Sequence, residues 1–458
     1  MSARSKICVY VQQITGMTMK LTGWGRYPQI ETDLRAPRQE SDLIDVARSG
    51  PLIARGNGRA YGDCAVNATK TIHMKHFNRM LSFDVGSGIL VVEAGVLLAD
   101  VIKVCLPKGW FPPVTPGTKF VTIGGMIAAD VHGKNHHKHG SFGEFIDWID
   151  LLCRDGEVRR CSLNANRDLF NWTIGGMGLT GIVLRAAFRL QPVETGWIRQ
   201  RSHVAKNIDH AIDLFEDNLG STYSVAWIDC MARGARLGQS IITLGEHAGR
   251  EEIDAKALSM PRFPQRRRGR YIGIEFPNFT LNNLSVRCFN ALYYWKGKSA
   301  AADRLVSWDS YFYPLDSILG WNRIYGRRGF SQYQCVIPLA QSRAGLHALL
   351  DCISRSGCAS FLAVLKRFGK QRGKFSFPFE GYTLALDFPV TARSLDLMNK
   401  LDDITAHHGG RLNLAKDSRM SAEVLATMDD RVGKYRHYRK HQGLNQIFSS
   451  EQSIRLKL

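Results

Sequence analysis

The sequence predicts an α+β protein of two domains, and three observations predict it. With 458 residues and 44% hydrophobic side chains, the chain exceeds what one hydrophobic core usually organises. Residues 26 to 193 alternate short strands and helices through glycine-rich turns, a pattern of mixed layers. From about 195 to 410 the pattern lengthens. Amphipathic segments such as IDHAIDLFEDNL (208–219) and RAGLHALLDCISRSG (343–357) alternate there with strands such as YSVAWIDCMA (223–232) and YTLALDFPV (382–390), as in a sheet covered by helices.

In chain order, MSARSKICVYVQQITGM carries two cations, but Gln12 and Gln13 break its apolar run and no small-residue cleavage site follows. It does not read as a signal peptide, and residues 1–23 are expected to form an N-terminal extension. LIARGNGRAYGD (52–63) is a strand running into a glycine turn, and MLSFDVGSGILVVEAG (80–95) is a hairpin. VLLADVIKVCLPKG (96–109) is an amphipathic helix. Glu93, Asp100 and Lys103 interrupt the longest apolar stretch well before the ~20 residues of a membrane span, so a cytoplasmic location is expected. Ten scattered cysteines without a CxxC pair point to reduced thiols. Residues 250–300, rich in Pro, Arg and aromatics without periodicity, read as a long loop, and the last fifty as short basic helices.

The net charge of +20 is the strongest compositional signal, with clusters at RFPQRRRGRY (262–271) and KYRHYRKH (434–441). Solvated loops, an anionic lipid surface or a phosphorylated substrate each account for it. No nucleic-acid-binding motif accompanies the charge, so nucleic acid is not expected as a partner.

IGGMGLTG (174–181) contains a literal GxGxxG, but DLFNWT reads as a helix before it and IVLRAAFRL as a strand after it. That is the reverse of a dinucleotide fingerprint. More telling are ARGNGRAYGDCA (54–65) and PGTKFVTIGGMIAADVHG (116–133) together. Glycine lets backbone N–H groups approach a pyrophosphate, and two such loops suggest a dinucleotide held between subdomains.

These stretches, with HGKNHHKHGSFG (132–143), GGMGLTGI (175–182), YPLDSILGWNRIYGRRGFSQYQ (313–334) and LAKDSR (414–419), carry a resemblance from about Trp24 to Leu458. The chain resembles the FAD-dependent oxidoreductases of the vanillyl-alcohol oxidase, or PCMH-type, fold, and within them the branch that oxidises polyprenylphosphoryl-ribose. The resemblance implies an FAD-binding domain over 24–195 completed by a C-terminal segment over 412–458, with an α/β substrate domain inserted over 196–411. It also implies a cofactor loop of Arg55, Gly56, Asn57, Gly58, Arg59, Ala60, Tyr61, Gly62, Asp63 and Cys64. A second wall would comprise Gly117, Thr122, Ile123, Gly124, Gly125, Ala129, Asp130, Val131 and His132, with Val183 toward the adenine and Asn413 near the flavin. Arg59 stands where many sugar-lactone oxidases of this fold carry a histidine joined to the flavin, so FAD is expected to be non-covalent.

His132, His136, His137 and His139 fall within eight positions. Adjacent His136 and His137 diverge in an extended segment and Lys134 and Lys138 repel a cation, so no metal site is expected. The resemblance places His132 and Lys134 at flavin and substrate, with Asn135, His136 and His137 shaping the turn. It implies Lys416 as a catalytic residue, either a cation beside the reduced flavin and developing alkoxide or the base, with His132 as the competing base. Tyr61, Lys134, Gln332, Gln334, Lys366, Ala385 and Lys416 would line the substrate pocket. Asp387 reads as structural, and Trp227 either as core or as packing against the lipid end.

Two departures from the relatives are Ala385, where they carry a cysteine that nitroaromatic compounds trap covalently, and Asn413, where they carry tyrosine. The implied reaction turns the ribose 2'-hydroxyl of a polyprenylphosphoryl sugar into a ketone, which an NAD(P)-dependent short-chain reductase completes to the arabinose epimer. An anionic membrane surface is then a partner, with peripheral contact at the inner membrane. An oxidase of soluble aldonolactones or sugar alcohols, and a basic binding protein without catalysis, are the competing readings.

Overall fold

The computed structural model describes residues 17–254, 260–277, 282–299 and 303–458. Three sheets organise it. A four-stranded sheet runs in the order Met17–Thr22, Gln29–Arg35, Lys70–His73, Ile53–Arg55, its first pair antiparallel and the rest parallel. A five-stranded antiparallel sheet follows in the order Met80–Phe83, Ile89–Glu93, Ile182–Arg189, Ile146–Leu152, Val158–Cys161. Residues 17–22, placed in an extension by the sequence, are the edge strand of the first sheet, and the remainder of that extension lies outside the described residues.

The third sheet has eight strands: Arg304–Ser307, Trp197–Ala205, Ser240–His247, Tyr223–Ile228, Ala363–Phe368, Gly381–Pro389, Phe330–Pro338 and Arg411–Leu412. Every pairing in it is antiparallel, so this unit is a sheet with helices laid on it rather than a run of parallel βαβ crossovers. The helices Ile208–Asp217, Leu339–Ser356 and Ala392–His407 bury Phe215, Leu349, Leu350 and Met398 in one cluster with Leu365, Leu384 and Leu386 of the strands. Successive strand residues alternate faces. Trp227, Val364, Ala385 and Gln334 are opposed in register across four strands and therefore project together to the other face, where the candidate site lies.

The C-terminal segment returns to the first unit. Leu52 donates to Ile447 O at 2.8 Å, and Leu444 and Phe448 share a core cluster with Leu43, Ile72 and Leu184. Arg455 ties this segment to the first glycine loop by pairing with Asp63 at 2.8 Å and Asp417 at 2.9 Å.

One sequence expectation changes. Residues 283–299, expected as part of a loop, form the helix Asn283–Ser299. As expected for the last fifty residues, the cationic run 434–441 belongs to a short basic helix, Arg431–His441, which buries Tyr435 and Arg439 completely. The Arg439 guanidinium donates to the carbonyls of Leu179, Phe448 and Leu458, so part of that charge fastens the C-terminus.

Candidate active site

The two glycine loops meet. A Cβ on Gly56 would lie 2.1 Å from Thr122 Oγ1, and Asn57 Nδ2 donates to Phe120 O at 2.8 Å. Only a residue without a side chain permits this approach, and Gly58 takes φ +62° beside it. Thr122 caps the short helix Ile123–Ala128 by accepting from Gly125 N. Arg55 holds the first loop in shape by donating to Thr22 O at 2.6 Å and Ala65 O at 3.3 Å. Arg59 lies 4.0 Å from the Trp24 ring and leaves its Nε buried without a partner. A bare, glycine-rich seam beside an unsatisfied guanidinium fits the diphosphate of a dinucleotide. A cavity of 580 Å³ opens beside Arg55, Asn57, Gly58 and Arg59, closed opposite by Asp316 and Trp321, whereas Lys416, His132 and Gln334 do not line it.

Several expected cofactor residues have other work. Ile123 and Gly124 spend their N–H groups on Val96 O and Ala94 O, so they build the wall rather than donate from it. Asp130 turns its buried carboxylate to Ser141 Oγ at 2.6 Å, Gly143 N at 2.7 Å and Gln371 Nε2 at 3.2 Å, fixing the histidine loop. Ala129 and Val131 continue that wall by backbone bonds to Gly125 O and Met126 O. Cys64 is buried, and burial pushes its thiol up to about 12. Gly117 is exposed with open space around it. Val183 sits on a strand bulge that interrupts pairing next to Leu184.

The first loop also meets the tail. Tyr61 N donates to Ala415 O at 3.0 Å, and Gly62 packs so that a Cβ would lie 2.0 Å from Asp417 O. This seam brings Lys416 Nζ to 3.7 Å from the Tyr61 ring centroid. Asp417, which a surface ion pair with Lys416 would have used, pairs with Arg455 instead. The Tyr61 phenol is held well above its ordinary range by burial.

A directed chain of hydrogen bonds sets His132. Ala415 N–H donates to Asn413 Oδ1 at 3.0 Å, Asn413 Nδ2 to Gln334 Oε1 at 3.0 Å, and Gln334 Nε2 lies 3.2 Å from His132 Nε2. Because the backbone donor fixes both amides, His132 Nε2 must accept. The ring packs 4.6 Å from Phe368, and burial first, then Lys366, His136 and Lys416, lowers it well below the usual imidazole range. His132 is therefore neutral at neutral pH. The other three histidines face different partners: His136 meets Gln371 at 2.9 Å, His137 Ser221 O at 2.8 Å and His139 Asn135 at 3.0 Å.

Three half-buried lysines surround this face. Burial lowers Lys366 to about 8 and Lys134 to about 7, the latter helped by Lys366. Lys134 Nζ donates to Tyr311 O and lies 4.2 Å from the Tyr311 ring. Burial lowers Lys416 to about 7 against the opposing pull of Asp387. Asp387, read from sequence as structural, stands directly opposite Gln332 and accepts from its Nε2, while Asp387 Oδ2 is buried without a partner. Burial raises its carboxyl to about 7. Sequence reasoning also missed buried Lys119, bound to Asp309 at 2.6 Å and 3.7 Å from Asp316, which pins the second glycine loop to the inserted unit. Nothing in the spacing of those residues signals the contact.

A glycine seam suited to a dinucleotide, set against a sheet face carrying basic and amide side chains, defines a flavin-dependent oxidoreductase. The FAD binding domain family matches residues 34–162. The decaprenylphosphoryl-β-D-ribose oxidase of Mycolicibacterium smegmatis is 36% identical over 96% of this chain and 98% of its own. The L-gulonolactone oxidase of Mus musculus is 29% identical over 40% of each chain, and a putative D-arabinono-1,4-lactone oxidase of Neurospora crassa 28% over 34% of this chain and 29% of its own. The chain belongs to the family of the mycobacterial oxidase, FAD-dependent oxidoreductases of the PCMH type.

Proposed function

We propose that this chain oxidises the 2'-hydroxyl of a polyprenylphosphoryl-β-D-ribose to the 2'-keto sugar, the first half of an epimerisation to arabinose. The observation that carries this reading is the convergence of Lys134, Lys366 and Lys416 around one sheet face beside Tyr61. A substrate with a phosphate near its reacting alcohol suits the desolvated ammonium groups of Lys134 and Lys366, with Lys416 left to take the proton, whereas a neutral lactone leaves those two uncompensated. Residues 24–195 and 412–458 would hold FAD and 196–411 the substrate. When bound there, FAD would supply the hydride-accepting chemistry that this oxidation needs. Arg59 and the Gly56–Thr122 seam would hold it without a covalent bond, so acid precipitation should release all the flavin.

Lys416 is the base in this reading. Its pKa of about 7 suits proton transfer at neutral pH, and burial is how a lysine reaches it. His132 Nε2, already accepting from Gln334, orients the site, since protonating it would set two donors against each other. Lys366 and Lys134 would meet the phosphate. A short-chain NAD(P)-dependent reductase would consume the keto sugar. The chain would work on the cytoplasmic side, peripheral to the inner membrane, where exposed Arg266, Arg267, Arg268 and Arg270 add about 1 kcal/mol each toward anionic headgroups. No helix among the described residues is long and apolar enough to cross a membrane.

Anaerobic titration with a short-chain polyprenylphosphoryl-ribose, followed near ~450 nm, tests the reaction. Bleaching by this compound but not by ribose or aldonolactones is expected; bleaching by an aldonolactone alone would move the substrate to the soluble class. A neutral Lys416 is required, so the rate should rise with pH through about 7. Asp387→Asn removes the anion that raises Lys416, and the limb should move about 0.5–1 unit toward acid, leaving the variant relatively more active near pH 6. An unmoved limb would separate Asp387 from Lys416.

A further inference from the structure

The helix Asn283–Ser299 is built outside in. Its inward stripe is Val286, Asn290, Tyr293 and Gly297, at i, i+4, i+7 and i+11. Val286 is buried, Asn290 donates to Asp229 at 2.7 Å, Tyr293 lies 4.6 Å from the Trp227 ring, and Gly297 packs so closely on Ile241 that a Cβ would require the Ile241 side chain to shift. The opposite stripe is Leu284, Cys288, Leu292 and Trp295, at i, i+4, i+8 and i+11, and it is exposed, with Leu284, Leu292 and Trp295 at 72%, 59% and 65%. At ~100° per residue, Arg287 and Lys296 fall on either side of this stripe, and both are exposed.

Isolated exposed leucines are ordinary, but a helix-long apolar stripe between two cations matches a helix that lies in a bilayer interface. Trp295 supplies the aromatic ring favoured at headgroup depth. The chain's charge of +20 selects an anionic surface over a neutral one or a second equally cationic copy. The location also fits. Trp227, beneath Tyr293, ends the register row through Val364 and Ala385 to Gln334 and stands about 14 Å from Gln334 by three strand spacings, so the helix lies over the same sheet face as the lysines.

We infer that this helix is a lipid-docking element, which seats its Leu284, Cys288, Leu292 and Trp295 stripe in an anionic phospholipid surface with Arg287 and Lys296 at headgroup level. It gives the lipid-linked substrate reading, on which its purpose rests, a defined side from which the substrate arrives.

The test sediments the full FAD-loaded chain with vesicles of phosphatidylcholine and phosphatidylglycerol, with no substrate present. Leu292→Asp with Trp295→Asp should lower partitioning about 100-fold. Arg287→Gln with Lys296→Gln should lower it about tenfold at low salt and little at high salt. Leu163→Asp, at a leucine 59% exposed in the other unit, should leave it unchanged. Flavin content and flavin reduction by a soluble short-chain substrate should match the parent in all three, which shows that the fold is intact. A parent chain that ignores the vesicles, or an Asp double variant that binds like the parent, overturns the inference. So does a parent that is dimeric and becomes monomeric in the double variant, because the stripe is then a protein interface. Failure of the substrate reading looks different: vesicle binding persists while the lipid-phosphate sugar does not bleach the flavin.

Discussion

Lys416→Met is expected to slow flavin reduction about 10³-fold while the purified protein keeps its flavin, because a positioned general base contributes on the order of 10²–10⁴. Methionine retains the length and apolar body of the side chain, so the contact with Tyr61 survives without its charge. The backbone seam from Tyr61 to Ala415 does not involve the substituted atoms. Single-turnover reduction across pH is the measurement. In the parent the rate should climb through about 7, as Lys416 loses its proton. In the variant that limb should disappear, leaving a low rate insensitive to pH in this range. A parent rate that instead falls as pH rises through 7 would assign Lys416 the role of a cation that stabilises the alkoxide.

Much of the fold is legible in the sequence because it rests on local patterns. The change from short glycine-punctuated elements to long amphipathic ones near 195 coincides with the start of the eight-stranded sheet at Trp197. The hairpin at 80–95 and the helix Leu98–Cys105 follow from alternation and 3.6-residue periodicity. The GxGxxG at 176–181 is indeed flanked by the helix Arg167–Thr173 and the strand Ile182–Arg189. The helix Asn283–Ser299 escapes the same logic because its apolar residues point outward while its buried stripe includes Asn290 and Gly297, so it carries no pattern of core burial.

The site is legible in part. Motif residues such as Lys416, His132 and Tyr61 stand out individually, yet what each can do depends on neighbours set by register and by the returning tail. Asp387 becomes a partner of Lys416 only because the Gln332 strand pairs with it, more than fifty positions away. The tautomer of His132 is decided by the Ala415 amide through two side chains from different strands and turns. Asn413 is the link that makes this relay possible.

That relay makes the second large effect a contrast with the first. His132→Ala removes one of the two acceptors of Gln334 Nε2, the other being Thr383 Oγ1, and the ring packed on Phe368. Gln334 stays held by Asn413 and Thr383, but the void left by the ring removes a wall against which the substrate alcohol is positioned, and a loss of about 10²-fold in reduction rate is expected, the scale of a 1 Å misplacement. The proton acceptor is untouched, so the pH limb near 7 should remain, moved somewhat upward at most by the opened, better solvated cavity around Lys416. His132→Gln, which can still accept from Gln334, should recover part of the rate. If His132→Ala abolishes the limb while Lys416→Met keeps it, the proton goes to the imidazole, and the Gln334 amide must then turn to present its oxygen as the ring takes up charge.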